Sequence, residues 1–223
     1  MNTLEEFFNL AGSLICHQLP SRSLYVGDMV LPVCARDTGI YAGIFTSALF
    51  LLLLRRLRAQ KPPGIANSVL MCMLMLPMIL DGLLSYAGII ETNNITRLFT
   101  GALFGLPIPI FLVPAAHYSI YGTNDRAVLK NAAELVLAYT AVIILCILLL
   151  KGLLPYAAAG MIFVSGLLFL LSRLSYTILK RLGCFKHKVL YVMTCCSTLC
   201  ILLFLFIIST FFLQPLKAVL LGG

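Results

Sequence analysis

The sequence predicts an all-α, polytopic membrane protein of about six transmembrane helices, preceded by an N-terminal segment at the extracytoplasmic interface. Three observations predict this class. Charged residues make up only 11% of the 223 residues, whereas a soluble domain carries roughly 25%. Long apolar runs follow one another through short loops, each close to the ~20 residues a helix needs to cross hydrocarbon. The runs are continuous rather than alternating, which suits helices and not barrel strands.

The elements follow in order. Within residues 1–36, "LEEFFNLAGSLI" repeats apolar residues at helical spacing with one acidic edge, as a helix lying along the interface does. Its start, "MNTLEEFF", is acidic where a secretory signal is basic, so no cleavable signal is expected. Ile15 before Cys16 is too bulky for a lipid-attachment site. Span one runs near 37–54 and stops at Arg55 and Arg56; span two covers 66–90 and span three 97–119. Spans four, five and six cover 132–150, 155–178 and 189–213. The chain thus divides into an interfacial segment (1–36), three helices carrying the polar motifs (37–119) and a more uniformly apolar helical scaffold (120–223). In span three, Pro107, Pro109 and Pro114 predict kinks, because interior proline frees backbone carbonyls.

Charge sets the orientation. The net charge is +8, but the cations cluster between apolar runs, which is a topology signal and not a nucleic-acid footprint. With the N-terminus outside, eleven of the 16 basic residues fall in inner loops and five outside. Six spans then return the C-terminus to the outside as well. Cys16, His17, Arg22, Cys34, Arg36 and Asp37 all fall on the extracytoplasmic side, with the loop "IIETNNITR".

Several residues there do not resemble packing. Asp81 lies within span two, where a carboxylate costs about 2.5–3.5 kcal/mol on insertion scales. It needs a partner, with Arg97, Thr38 and Tyr41 as candidates; the competing reading is a structural clamp beside Gly82, which would permit close helix contact. Arg22, Arg36 and Arg97 lie on the outer side near Asn93 and Asn94. Guanidinium forks suit a phosphate-bearing substrate, although interfacial snorkelling onto membrane lipid also places arginines there. Cys16, His17, Cys34 and Asp37 offer thiolate, imidazole and carboxylate donors for zinc or another divalent metal. A Cys16–Cys34 disulfide and inert burial are the alternatives. Cys195, Cys196 and Cys200 in span six, and the lone Cys72 and Cys146, are expected to be packing residues. Cys184, in "KRLGCFKHK", is either a palmitoylation candidate or a residue of no particular role. His117 and Glu134 could meet as a relay across the loop after span three, though a polar surface loop is the simpler expectation.

The stretches "CHQLPSRS", "VCARDTGIYAG", Asp81-Gly82 and "TNNITRLFTGALFG" together resemble an uncharacterised family of small predicted integral membrane proteins of bacteria and archaea. The resemblance covers residues 14–105. It carries over Cys16, His17, Gln18, Pro20, Arg22, Ser23, Cys34, Arg36, Thr38, Gly39, Tyr41, Asp81, Asn94, Arg97, Thr100 and Gly101. Where the family pattern has a further cysteine, this chain has Asp37, a harder ligand that suits a weaker or catalytic metal site and rules out a CxxC redox pair. The resemblance implies a site and not a reaction.

Three functional expectations follow. The first is an enzyme at the outer membrane surface acting on a lipid-linked or phosphate-bearing substrate. Cys16, His17, Cys34 and Asp37 would hold the metal, Asp81 and His17 would be catalytic, and Arg22, Arg36, Asn94, Arg97 and Tyr41 would bind substrate. The second is a small transporter or channel using Asp81 and the proline-broken third helix. The third is a disulfide-stabilised scaffold subunit.

Overall fold

The structure is a computed structural model describing residues 3–183 and 187–213. Cys184, Lys186 and Lys217 lie outside the described residues. The chain begins with α1 (Thr3–Ser13), a single turn of 3₁₀-helix (Pro20–Arg22), and strands β1 (Ser23–Val26) and β2 (Met29–Cys34). Helices α2 (Ala35–Leu53), α3 (Ile65–Tyr86), α4 (Asn94–Gly105), α5 (Pro107–His117), α6 (Ala132–Leu150), α7 (Tyr156–Leu182) and α8 (His187–Ile208) follow. A short π-turn, Ser209–Leu213, extends α8.

The N-terminal segment is more ordered than its apolar periodicity implies. β1 and β2 form an antiparallel hairpin, pairing Val26 with Met29 and Tyr25 with Val30. Its two-residue turn is Gly27-Asp28, with Gly27 at φ 61°. A positive φ at the first turn residue matches the twist of paired strands, and glycine adopts it without a Cβ clash. The helix expected in this segment is present: α1 buries Phe8 and Gly12 while Phe7 and Leu10 stay exposed. Phe8 lies edge-on to Tyr156 at 5.9 Å.

Among the described residues, five helical stretches are long and apolar enough to cross a membrane: Ile65–Ser85, Asn94–His117, Ala132–Leu150, Tyr156–Leu182 and Lys188–Phe211. The expected first span, α2, is not among them. Arg36 and Asp37 open it, and Thr, Gly and Ser interrupt it. It is the central rod, touching α4, α5, α6 and α7, so protein rather than lipid solvates much of its surface. The kinked third span is also seen. α4 and α5 abut at Leu106, where Pro107 starts the new segment and leaves the carbonyl four residues back without its usual donor.

Helices α2 and α4 cross closely. A Cβ added at Gly39 would stand 2.1 Å from Leu98 O, and one at Gly43 2.6 Å from Ala102 O. From the other side, a Cβ at Gly101 would stand 2.3 Å from Arg36 O, and one at Gly105 2.0 Å from Ile40 O. Two facing small-xxx-small pairs therefore let the backbones touch, the geometry that replaces the absent hydrophobic drive between helices in lipid. Gly82, read above as permitting close contact, does not: a Cβ there would meet only Arg36 Nη1, at 3.9 Å.

The far end of the bundle is laced by polar contacts. Arg56 pairs bidentately with Glu134 at 2.5 and 2.9 Å. Gln60 and Lys61 donate their backbone N–H groups to Arg126 O at 2.8 and 3.0 Å. Glu134 is thus committed to Arg56, and His117 Nδ1 lies 3.0 Å from Val113 O. The His117–Glu134 relay is not formed, because α5 ends with His117 turned onto its own helix and toward Arg173 at 3.4 Å.

Candidate functional site

Three donor residues come together where the hairpin enters α2. Cys16 Sγ, Cys34 Sγ and an Asp37 carboxylate oxygen all lie within 4.8 Å of one another, each residue partly buried. The local sequence explains the convergence. Cys34 is the N-cap of α2 and Asp37 sits three residues on, in the first turn. That spacing brings the two side chains together, and the helix dipole favours the carboxylate there. The Cys34 thiol donates to Asp37 Oδ2 at 3.1 Å. Cys16 arrives from a separate segment, where its sulfur accepts the Cys34 backbone N–H at 3.2 Å.

Gln18 holds that segment in place. Its backbone is left-handed, with φ 52°, a conformation that costs a non-glycine residue about 1–2 kcal/mol. Its side-chain Nε2 donates to Asn9 O at 2.8 Å and Pro32 O at 3.0 Å, tying α1 to β2. Gly12 fits beneath it, where a Cβ would stand 2.0 Å from Pro32 O. His17, in that same turn, is exposed and lies outside the three-donor cluster. Cys16 turns inward onto β2, and the neighbouring residue at a sharp bend points elsewhere.

The two thiols are unlike. A hydrogen bond from the Cys34 side chain holds the Cys16 thiol below its ordinary range, against burial and the nearby Asp37 charge. Cys34 is pushed far up, first by that same bond, in which it keeps the proton, then by burial and by Asp37. Both cysteines are free thiols in this structure. The single Cys34 proton has two acceptors in reach, the Cys16 sulfur and the Asp37 carboxylate, so Cys16 is the readier thiolate.

Arg36, one residue before Asp37, points the other way. Its Nε donates to Asp81 Oδ2 at 3.1 Å, and its Nη2 pairs with the same oxygen. Asp81 therefore has a partner, but Arg36 rather than Arg97, Thr38 or Tyr41. The α3 helix presents Asp81 to the first turn of α2, and Arg36 is the cation there. Asp81 Oδ1 is buried with no hydrogen-bond partner among the described residues. Thr38 Oγ1 donates to Cys34 O at 3.0 Å, closing the helix start.

The other expected substrate contacts are spread around this end. Asn94 Nδ2 donates to Ser21 O at 3.3 Å and Ser23 O at 3.2 Å, fastening the hairpin to α4. Asn93 caps α4, accepting the Thr96 N–H at 2.7 Å. Arg97 is buried, with Nε donating to Thr92 Oγ1 at 3.1 Å. Tyr41 lies edge-on to Phe163 at 5.2 Å, in a buried cluster against which Cys16 packs. Arg22 is exposed on the 3₁₀ turn. Gln18 is the positioning residue that donor counting misses, since an amide between a histidine and a leucine carries no ligand signal.

Comparison with known proteins adds to this geometry. A family model described as a predicted membrane protein, DUF2085, matches residues 16–111. An uncharacterised protein of Methanocaldococcus jannaschii is 32% identical over 109 residues, covering 49% of this chain and 68% of the relative. An uncharacterised protein of Methanothermobacter thermautotrophicus is 31% identical over 107 residues, covering 48% of this chain and 92% of the relative. No solved structure matches the chain. The matched span begins at Cys16 and contains Cys16, Cys34, Asp37, Arg36 and Asp81.

Proposed function

The chain belongs to the DUF2085 family of predicted membrane proteins, and from that premise we propose that it binds a divalent metal of the zinc class at the extracytoplasmic membrane surface. One observation carries the proposal: Cys16, Cys34 and Asp37 bring two sulfurs and a carboxylate within 4.8 Å of one another from two separate segments. Zinc–sulfur bonds of about 2.3 Å place tetrahedral ligands roughly 3.8 Å apart. The donors therefore need only a small inward adjustment.

Three protein donors suit an exchangeable or catalytic ion, because such a shell keeps its fourth position for water or substrate. Arg36 has a different task in this reading. By pairing with Asp81 it fixes the first turn of α2, and so fixes Cys34 and Asp37. A phosphate-bearing or lipid-linked substrate would then be met by Arg22, which is exposed. Arg36 and Asn94 are already engaged. The extracytoplasmic placement rests on the eleven-to-five distribution of basic residues.

Elemental analysis of the purified, full-length protein tests the proposal. One ion per chain is expected in the wild type. Losing an outer-sphere partner costs roughly 10–100-fold in metal affinity, so loss of a ligand costs at least that. Cys16→Ser, Cys34→Ser and Asp37→Asn should each lose the ion, and His17→Ala should keep it. Metal-free wild-type protein with a Cys16–Cys34 disulfide by mass spectrometry would overturn the metal reading and support the scaffold reading instead.

A further inference from the structure

At the bundle end opposite the thiols, four cations lie near one another, two of them over one aromatic ring. Arg173 Cζ lies 5.1 Å from the centroid of the Tyr176 ring, and Lys180 Nζ lies 5.5 Å from it. Tyr176 stacks on Tyr191 of α8 at 5.8 Å, and Arg58 Nη2 donates to the Tyr191 hydroxyl at 3.5 Å. Arg181, next to Lys180, is held by a 2.8 Å bond from its Nε to Ala115 O. Arg58, Arg173 and Arg181 each act repulsively on Lys180.

Among the described residues, no carboxylate pairs with these cations. The chain has eight acidic residues, and none follows Glu134. Among the described residues, the ion pairs are Arg36–Asp81 and Arg56–Glu134, and neither draws on the cluster. Arg173 Nε is buried without a hydrogen-bond partner among the described residues. The positive-inside rule accounts for cations in a loop, but not for two of them stacking over one tyrosine ring. Beside Arg181, a groove of about 410 Å³ is walled by Pro62, Phe111, Pro114, Ala115 and Tyr118. Positive charge thus adjoins a mainly apolar furrow at the end of a membrane-embedded bundle.

We propose that this end binds an anionic phospholipid, its headgroup phosphate held by Arg58, Lys180 and Arg181 and an acyl chain lying in the Phe111–Pro114 groove. Guanidinium forks match phosphate oxygens, and basic pockets between transmembrane helices take such headgroups. The groove favours a lipid over a soluble anion, since free phosphate has no use for it. The assignment is independent of the metal centre.

Native mass spectrometry and thermal unfolding of the full chain test it, with phosphatidylglycerol, phosphatidylcholine and inorganic phosphate added separately. Phosphatidylglycerol should bind roughly tenfold or more tightly than phosphatidylcholine. The Arg58→Gln/Lys180→Gln variant should lose that preference while its helicity is unchanged. Should the double variant misfold, Lys180→Gln alone reads the same preference. Equal binding of the two lipids, or an unchanged preference in the variants, overturns the proposal. Equal stabilisation by inorganic phosphate overturns the lipid assignment in favour of a soluble phosphate.

Discussion

Arg36 and Asp81 illustrate how a costly side chain is accommodated at the residue scale. Their side chains retain only 16% and 5% of their accessible surface, so removal of one partner leaves the other charge without compensation. Breaking a buried pair in this way costs about 3–5 kcal/mol, whereas replacing both partners by apolar residues of similar size is often neutral. Asp81→Asn should therefore destabilise by about that amount in denaturant unfolding, and Arg36→Met/Asp81→Leu should recover most of the loss. If the double variant were as unstable as the single, Asp81 would have an energetic role beyond this pair. The Cys34–Asp37 contact belongs to the same helical turn, so metal content measured on the recovered double variant also shows whether Arg36 positions the donors.

At the scale of elements, the α2–α4 crossing depends on hydrogen in place of a side chain. Gly39→Ala sets a methyl 2.1 Å from a backbone carbonyl, and neither helix can yield without parting from the other. Overpacking of this kind costs about 1–3 kcal/mol. Gly82→Ala is the control, because its methyl meets only the tip of Arg36 at 3.9 Å. There the usual helical preference for alanine over glycine should show as a gain of roughly 0.5–1 kcal/mol. Unfolding of the two variants side by side checks the contrast, and equal effects would contradict the close crossing. The hairpin depends on the same helices: Asn94 at the start of α4 grips the carbonyls of Ser21 and Ser23, so a displaced α4 carries the Cys16 segment away from Cys34.

Across the whole molecule, the two ends are chemically distinct. Thiols, a carboxylate and a buried ion pair occupy one end, and cations stacked on a tyrosine ring occupy the other. A membrane-impermeant maleimide applied to intact cells should label Asp28→Cys, in the hairpin turn, and leave Arg126→Cys unlabelled above the wild-type background. The reverse pattern would invert the orientation and place the thiol site inside.

Helix positions, the mean hydropathy of +1.03 and the asymmetry of basic residues were determined by the sequence alone, because each is a property of consecutive residues against a membrane of known thickness. The fourth span was expected at 132–150, the range of α6. The hairpin had a signal in "YVGDMV", a glycine-led two-residue turn between apolar runs, but helical periodicity nearby overshadowed it. Choice of partner was decided only by the tertiary structure. Arg36 and Arg97 are equivalent cations in sequence, yet only one stands in the turn facing Asp81. Cys16 and His17 are adjacent donors, yet a left-handed residue beside them leaves one facing Cys34 and the other exposed. Such selections depend on which helices abut, how closely their glycines let them approach and where each Cα–Cβ bond points, none of which is a local property of the chain.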